Sequence, residues 1–163
     1  MENKKIKLKC TKLQIFLEVI SILILMAMFA VLYFNWSNIP EKIPGHYNAL
    51  GEIDRWGNKS ELFLLPIISS FLYLLLTVVC RFPSIWNVPT QITDKNRTFV
   101  YSNLLTMMIL LKALVLMIFF FLNYNSMQAK ALPVYFLPIF IIAVFAIIIF
   151  FTVRTMRIAK KLG

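Results

Sequence analysis

Read only for apolar and polar positions, the chain divides into four oily blocks joined by short polar connections. The blocks run from about Leu13 to Phe34, from about Leu62 to Val79, within Phe99 to Leu122, and from about Pro133 to Val153. A helix that crosses a bilayer needs about 20 apolar residues, with a range of roughly 17–25. Inside lipid each span is predicted to be helical, because a helix satisfies its own backbone donors and acceptors. The pattern therefore predicts an all-α integral membrane protein, a single membrane domain over residues 1–163, with four transmembrane helices. The first block follows a basic "KKIKLK" stretch, as a secretion signal would. Its apolar core exceeds the roughly 7–15 residues of a signal core and no A-x-A site follows, so it reads as a retained helix. The two halves of the pattern resemble each other only in helix count, and no internal repeat is assigned.

Charge adds an orientation. Lys4, Lys5, Lys7, Lys9 and Lys12 precede the first block; Arg81, Lys95 and Arg97 lie between the second and third; Arg154, Arg157, Lys160 and Lys161 follow the fourth. The other side carries only Lys42, Arg55, Lys59 and Lys130. Short connections rich in Lys and Arg stay on the cytoplasmic side. Both termini are thus expected in the cytoplasm, and the connection between helices 1 and 2 outside. Trp36, Trp56 and Trp86 fall in or beside connections, and Tyr33, Tyr124 and Tyr135 flank the outer ends, at headgroup depth.

Composition narrows the classes further. Of 163 residues 60% are hydrophobic, against roughly 45–50% in an ordinary soluble domain, and the mean hydropathy is +0.79. The formal charge of +10 is placed at the ends of the oily blocks, which suits membrane topology rather than nucleic acid. The partner this composition implies is the lipid bilayer. Cys10 and Cys80 form no CxxC pair and both map to the cytoplasmic side, where free thiols are the ordinary state.

One connection stands apart. "IPGHYNALGEIDRWGNK", Ile43 to Lys59, holds three of the four glycines and the only histidine. Pro44, like Pro40 before it, favours an extended neighbour, and Gly45, Gly51 and Gly57 give backbone freedom. A compact, turn-rich structured loop is expected, with Asn48 and Asp54 building turns, Gly51 permitting a tight backbone, Trp56 anchoring at the interface, and His46 and Lys59 offering polar contacts. Ser60 and Glu61 would cap helix 2. His46, Glu52 and Asp54 are the residues able to ligate a metal, but one histidine without cysteine is a thin set, so no metal and no cofactor are expected. His46 with Asp54 would serve acid–base chemistry, though no nucleophile motif accompanies them and no catalytic residue is assigned.

The remaining chemistry lies inside the spans. Glu18 and Lys112 are ionisable in the predicted hydrocarbon, where a charge costs about 2.5–3.5 kcal/mol and faces the bundle interior or water. They are expected to pair or to share a polar pocket; snorkelling of Lys112 and a hydrated Glu18 are the alternatives. Helices 2 and 4 carry no charge, so a proton or ion path is not expected.

Two motifs carry a resemblance. "P-x-H-Y-N-x-x-G-E-x-D-R-W-G-x-K", here Pro44 to Lys59, resembles the signature of a bacterial membrane domain, domain of unknown function 1648, also found at the N-terminus of immunity proteins against the sporulation-delaying (Sdp) toxin. The segment "FPSIWNVPTQITDKN....Y" is similar to that family's cytoplasmic pattern at Pro83, Asn87, Pro89, Ile92, Thr93, Asn96 and Tyr101. Lys112 falls where such proteins tend to carry a lysine. The resemblance covers about Leu13 to Lys112. It implies a defined domain but no defined activity for most members; for the immunity-type members it implies a soluble cytoplasmic regulator as partner. From the residues alone, Pro83 and Pro89 keep the second connection extended, while Thr93 and Asp94 start helix 3.

The leading expectation is a small non-enzymatic membrane protein of the immunity or sensing type, whose external loop recognises a membrane-active peptide, a toxin or an envelope component. The alternatives are a metal-dependent or acid–base membrane enzyme centred on His46 and Asp54, and an accessory subunit of a membrane complex.

Overall fold

A computed structural model describes residues 8–162; Lys4, Lys5 and Lys7, counted above for orientation, lie outside the described residues. Among the described residues, four helices are long and apolar enough to cross a membrane: α1 (Lys12–Asn35), α2 (Leu64–Cys80), α3 (Arg97–Met127) and α4 (Phe136–Leu162). Each expected span lies within or beside one of these helices. The differences at the ends have physical causes. α3 continues past Leu122 because Asn123, Ser126 and Met127 are buried against protein, so polarity there does not end the helix. α4 continues through Arg154 to Leu162, where basic side chains reach water from a helix that needs no lipid to persist. α2 is preceded by a tight turn of 3-10 helix, Lys59–Phe63, with Pro66 in its first turn, where a missing N–H costs nothing.

α3 is the hub. α1, α2 and α4 all pack on it, α1 and α2 touch little, and α4 forms no extended seam with α2. The face α1 turns to α3 is a helical stripe: Gln14, Ser21, Met28 and Leu32 are all buried, at spacings of seven, seven and four, with Glu18 in register between the first two.

The connection between α1 and α2 is a β-hairpin, β1 (Lys42–Tyr47) antiparallel to β2 (Ile53–Asn58). The sequence gives weak warning of it, because Pro44, Gly45 and Asp54 are poor strand formers. A two-stranded hairpin is marginal alone; this one is held by the bundle. Ile43 is 1% exposed in a cluster with Leu32, Ile39, Leu62 and Met127. Burying one such side chain stabilises by about 1.5–3 kcal/mol. Ser126 Oγ donates to the Pro44 carbonyl at 2.6 Å, Tyr47 Oη to the Lys130 carbonyl at 3.1 Å, and Leu132 N to the Gly51 carbonyl at 2.8 Å.

At the opposite end, the α2–α3 connection is equally tied down. Trp86 Nε1 donates to the Val79 carbonyl at 2.9 Å, and its ring lies 5.8 Å from that of Tyr101. Pro83 is buried at the start of a short 3-10 turn. Thr93 and Asn96 cap each other, Thr93 N donating to Asn96 Oδ1 at 2.9 Å and Asn96 N to Thr93 Oγ1 at 3.3 Å. Thr93 therefore closes the turn before α3, and the helix itself starts at Arg97. Asn87 and Pro89 are exposed.

Candidate functional site

The hairpin tip is made by Asn48. Its Oδ1 accepts from Leu50 N at 2.9 Å and Glu52 N at 3.0 Å, and its Nδ2 donates to Glu52 Oε2 at 2.8 Å. Gly51 sits at φ +83°, and a Cβ there would lie 2.5 Å from the Leu132 carbonyl oxygen. Only glycine combines that backbone with that contact. The roles expected for Asn48 and Gly51 match this geometry; that of Asp54 does not, since Asp54 lies on β2 and builds no turn.

Asp54 instead faces His46. Pairing runs regularly from Lys42–Asn58 to Pro44–Trp56, then skips Gly45 on one strand and Asp54 on the other, with His46 opposite Arg55 between the two irregularities. The bulges bring His46 Nδ1 to 2.7 Å from Asp54 Oδ1. With Nδ1–H on the carboxylate, Nε2 is the free ring nitrogen. Both side chains are largely exposed.

A second ion pair staples the same hairpin. Arg55 Nη2 donates to Glu61 Oε2 at 2.8 Å and to the Gly45 carbonyl at 2.7 Å, and Asn58 N donates to Glu61 Oε1 at 3.1 Å. The hydrogen bond from Arg55 and that from the Asn58 backbone hold the Glu61 carboxyl below the usual range, and Glu61 in turn raises Arg55. Gly45 and Gly57 leave room for this staple: a Cβ on either would run into the Arg55 guanidinium or the Glu61 carboxylate. Glu61 thus caps the turn before α2, as expected of it, but through Asn58 rather than Ser60. Lys59 is not a free contact: its ammonium lies 4.7 Å over the Trp36 ring and 3.7 Å from Glu41, with the side chain 12% exposed. Trp56 is half-exposed opposite Pro44. Glu52 is taken up by Asn48, and no group of three His, Cys, Asp or Glu side chains able to hold a metal occurs among the described residues. Burial pushes the Tyr47 hydroxyl up to about 12, with a smaller opposing effect from Ser126.

Beneath the hairpin is a cavity of about 500 Å³. It is bounded above by Pro44, His46 and Tyr47, and around by the hairpin ends of α2 (Leu64, Leu65), α3 (Phe119, Leu122, Asn123) and α4 (Phe136, Phe140). Nothing in the sequence patterning pointed to it, because it arises where α2 and α4 flank α3 without an extended seam between them.

Near the other end of the bundle, Lys112 Nζ donates to Glu18 Oε1 at 2.7 Å, Glu18 Oε2 at 2.8 Å and Thr77 Oγ1 at 2.9 Å. Tyr73 Oη adds a bond to Glu18 at 3.2 Å, and the ammonium lies 4.4 Å from the Tyr73 ring. The structure thus brings together the two intramembrane ions and joins α1, α2 and α3 through them. Gln14 extends the polar seam, donating to the Ser102 carbonyl at 3.0 Å and to Thr106 Oγ1 at 2.9 Å. Thr77, Tyr73 and Gln14 were not singled out from sequence, although the Gln14–Glu18–Ser21 spacing marks the face. Cys10 and Cys80 are free thiols.

The domain described as Domain of unknown function (DUF1648) matches residues 23–69, which run from mid-α1 through the hairpin into α2. The match includes the Pro44–Lys59 motif and stops before the Pro83–Tyr101 segment. An uncharacterized protein of Archaeoglobus fulgidus is 33% identical over 63 residues, covering 34% of this chain and 34% of that protein. The chain thus spans about a third of the length of that curated relative. No solved structure matches.

Proposed function

We propose that this chain is a small non-enzymatic protein of the bacterial cytoplasmic membrane, of the immunity or sensing type. Its termini and α2–α3 connection lie in the cytoplasm, following the Lys/Arg asymmetry. Its hairpin lies outside and recognises a membrane-active peptide, a toxin or an envelope component. One observation carries this reading. The hairpin is fixed at base and tip by Ser126, Lys130 and Leu132, yet His46, Asp54 and Trp56 remain exposed. A rigid frame with an open polar and aromatic face suits recognition, because little conformational entropy is lost on binding. Pro44, Asn48, Gly51 and Lys59 build the frame; Pro83, Thr93, Asn96 and Tyr101 shape the cytoplasmic connection, beside which Asn87 and Pro89 are open to a cytoplasmic regulator.

A second reading rests on the His46–Asp54 contact, in which a carboxylate orients an imidazole as in general-base sites. The two separate in one experiment. Cells lacking the protein are complemented with wild type, His46→Ala, Asp54→Asn or Trp56→Ala, and challenged with peptides made by neighbouring genes. The recognition reading expects each variant to accumulate normally and to lose protection, Trp56→Ala included. Equal sensitivity of deleted and complemented cells across the whole peptide set would defeat it. Loss confined to His46→Ala and Asp54→Asn, with Trp56→Ala silent, would favour acid–base chemistry.

A further inference from the structure

The cavity under the hairpin carries an amide in its wall. Asn123 lines it and is 3% exposed. A side-chain amide facing a cavity can both donate to and accept from a polar atom of a ligand. Its neighbour Ser126 donates to the Pro44 carbonyl. The rest of the wall at that depth is aliphatic or aromatic: Leu65, Ile118, Phe119, Leu122 and Phe140.

We propose that this cavity is a binding site for a membrane phospholipid, with one acyl chain between α2 and α4 and its ester carbonyl hydrogen-bonded to the Asn123 amide. Two observations favour lipid over a water-borne ligand, and the volume suits either. The hairpin covers the aqueous side with Pro44, His46 and Tyr47, whereas α2 and α4 share no extended seam that would close the side toward the bilayer. The volume of about 500 Å³ falls within the roughly 300–1,000 Å³ of small-ligand sites. Asn123 lies four residues before the end of α3 at Met127, about 6 Å along the helix axis. Because α3, at 31 residues, exceeds the roughly 20 residues that cross hydrocarbon, we place Asn123 near the hydrocarbon edge, where ester groups reside. His46 stands at the lip of the cavity. The site depends on the cavity and not on the exposed face of the hairpin, so it stands or falls separately from peptide recognition.

The test uses the full chain, extracted in a mild detergent, washed extensively and assayed for retained phospholipid per chain by quantitative mass spectrometry. A second arm adds phosphatidylglycerol carrying one brominated acyl chain and maps the bromine. Wild type is expected to retain about one phospholipid per chain. Leu122→Trp, which fills the cavity, should lower retention at least about tenfold. Ala49→Trp, at the exposed rim, should also lower it and does not depend on repacking the interior. Asn123→Leu should weaken retention about fivefold, the worth of one hydrogen bond. Ile22→Trp, on the exposed face of α1, should change nothing. Absence of retained lipid in wild type overturns the proposal. So does retention that Leu122→Trp and Ala49→Trp leave untouched, several loosely held lipids lost equally in every variant, or a peptide in place of lipid.

Discussion

Glu18→Gln should destabilise the bundle more than Lys112→Met, and the double variant should be more stable than the worse single. Lys112 is 1% exposed and Glu18 26% exposed. Removing the carboxylate leaves a buried ammonium with Thr77 Oγ1 as its remaining native acceptor. Breaking one side of a buried pair costs about 3–5 kcal/mol. For a chain of this size the loss is a fall in Tm on the order of 10 °C. Lys112→Met leaves a carboxylate that is a quarter wet and still accepts from Tyr73, so about 2–3 kcal/mol is expected. Removing both charges leaves a neutral amide beside a thioether of similar volume, an exchange that is often close to neutral. With the double variant near neutral, the coupling should approach the sum of the two single effects, about 5–8 kcal/mol. Equilibrium unfolding in mixed micelles, followed by helical circular dichroism, measures all four corners of the cycle. Single effects that add to the double within about 0.5 kcal/mol, as independent sites do, would refute the pairing.

Three further outcomes are expected. Gly51→Ala forces a Cβ onto the Leu132 carbonyl at positive φ, a backbone cost of about 1–2 kcal/mol before the contact is counted; limited proteolysis should cut the hairpin tip faster while the four helices survive. Tyr47 has its hydroxyl raised to about 12 from 10.0, so its contribution is intact below pH 10 and is lost as pH rises from 10 to 12; Tyr47→Phe should flatten that stretch of the stability–pH curve. Asn103 Nδ2 donates to the Phe151 carbonyl at 3.0 Å and Thr155 Oγ1 at 2.8 Å, joining α3 to α4; Asn103→Leu should cost about 1–2 kcal/mol, read in the same micelle unfolding assay, and an unchanged midpoint would show that apolar packing alone holds α4.

The parts of the molecule legible from sequence are those written in long-range hydrophobicity. Four spans follow from uninterrupted apolar runs, and Glu18 and Lys112 are conspicuous because nothing else near them is charged. The hairpin was legible only as a shaped loop: Pro44, Gly45 and Asp54 argue against strands, and the strands form because Ile43 and the Ser126, Lys130 and Leu132 contacts hold them. The His46–Asp54 contact depends on two bulges, which no local propensity announces. The cavity depends on how three helices splay, and Asn123 stood just beyond the point where the apolar run of span three stops. Lys59 shows the converse, since a charge that reads as available is spent on Trp36 and Glu41.

The two bulges of the hairpin cancel. Gly45 is extra on one strand and Asp54 on the other, so pairing resumes at Tyr47–Ile53 with the same offset it had at Lys42–Asn58. Deleting Gly45 and Asp54 together would leave every other partner opposite its present neighbour, with the tip still over Leu132 and the base still on Ile43. The His46–Asp54 contact is in that sense a removable cassette in the scaffold: evolution or an engineer can insert it, replace it or excise it without renumbering the fold around it.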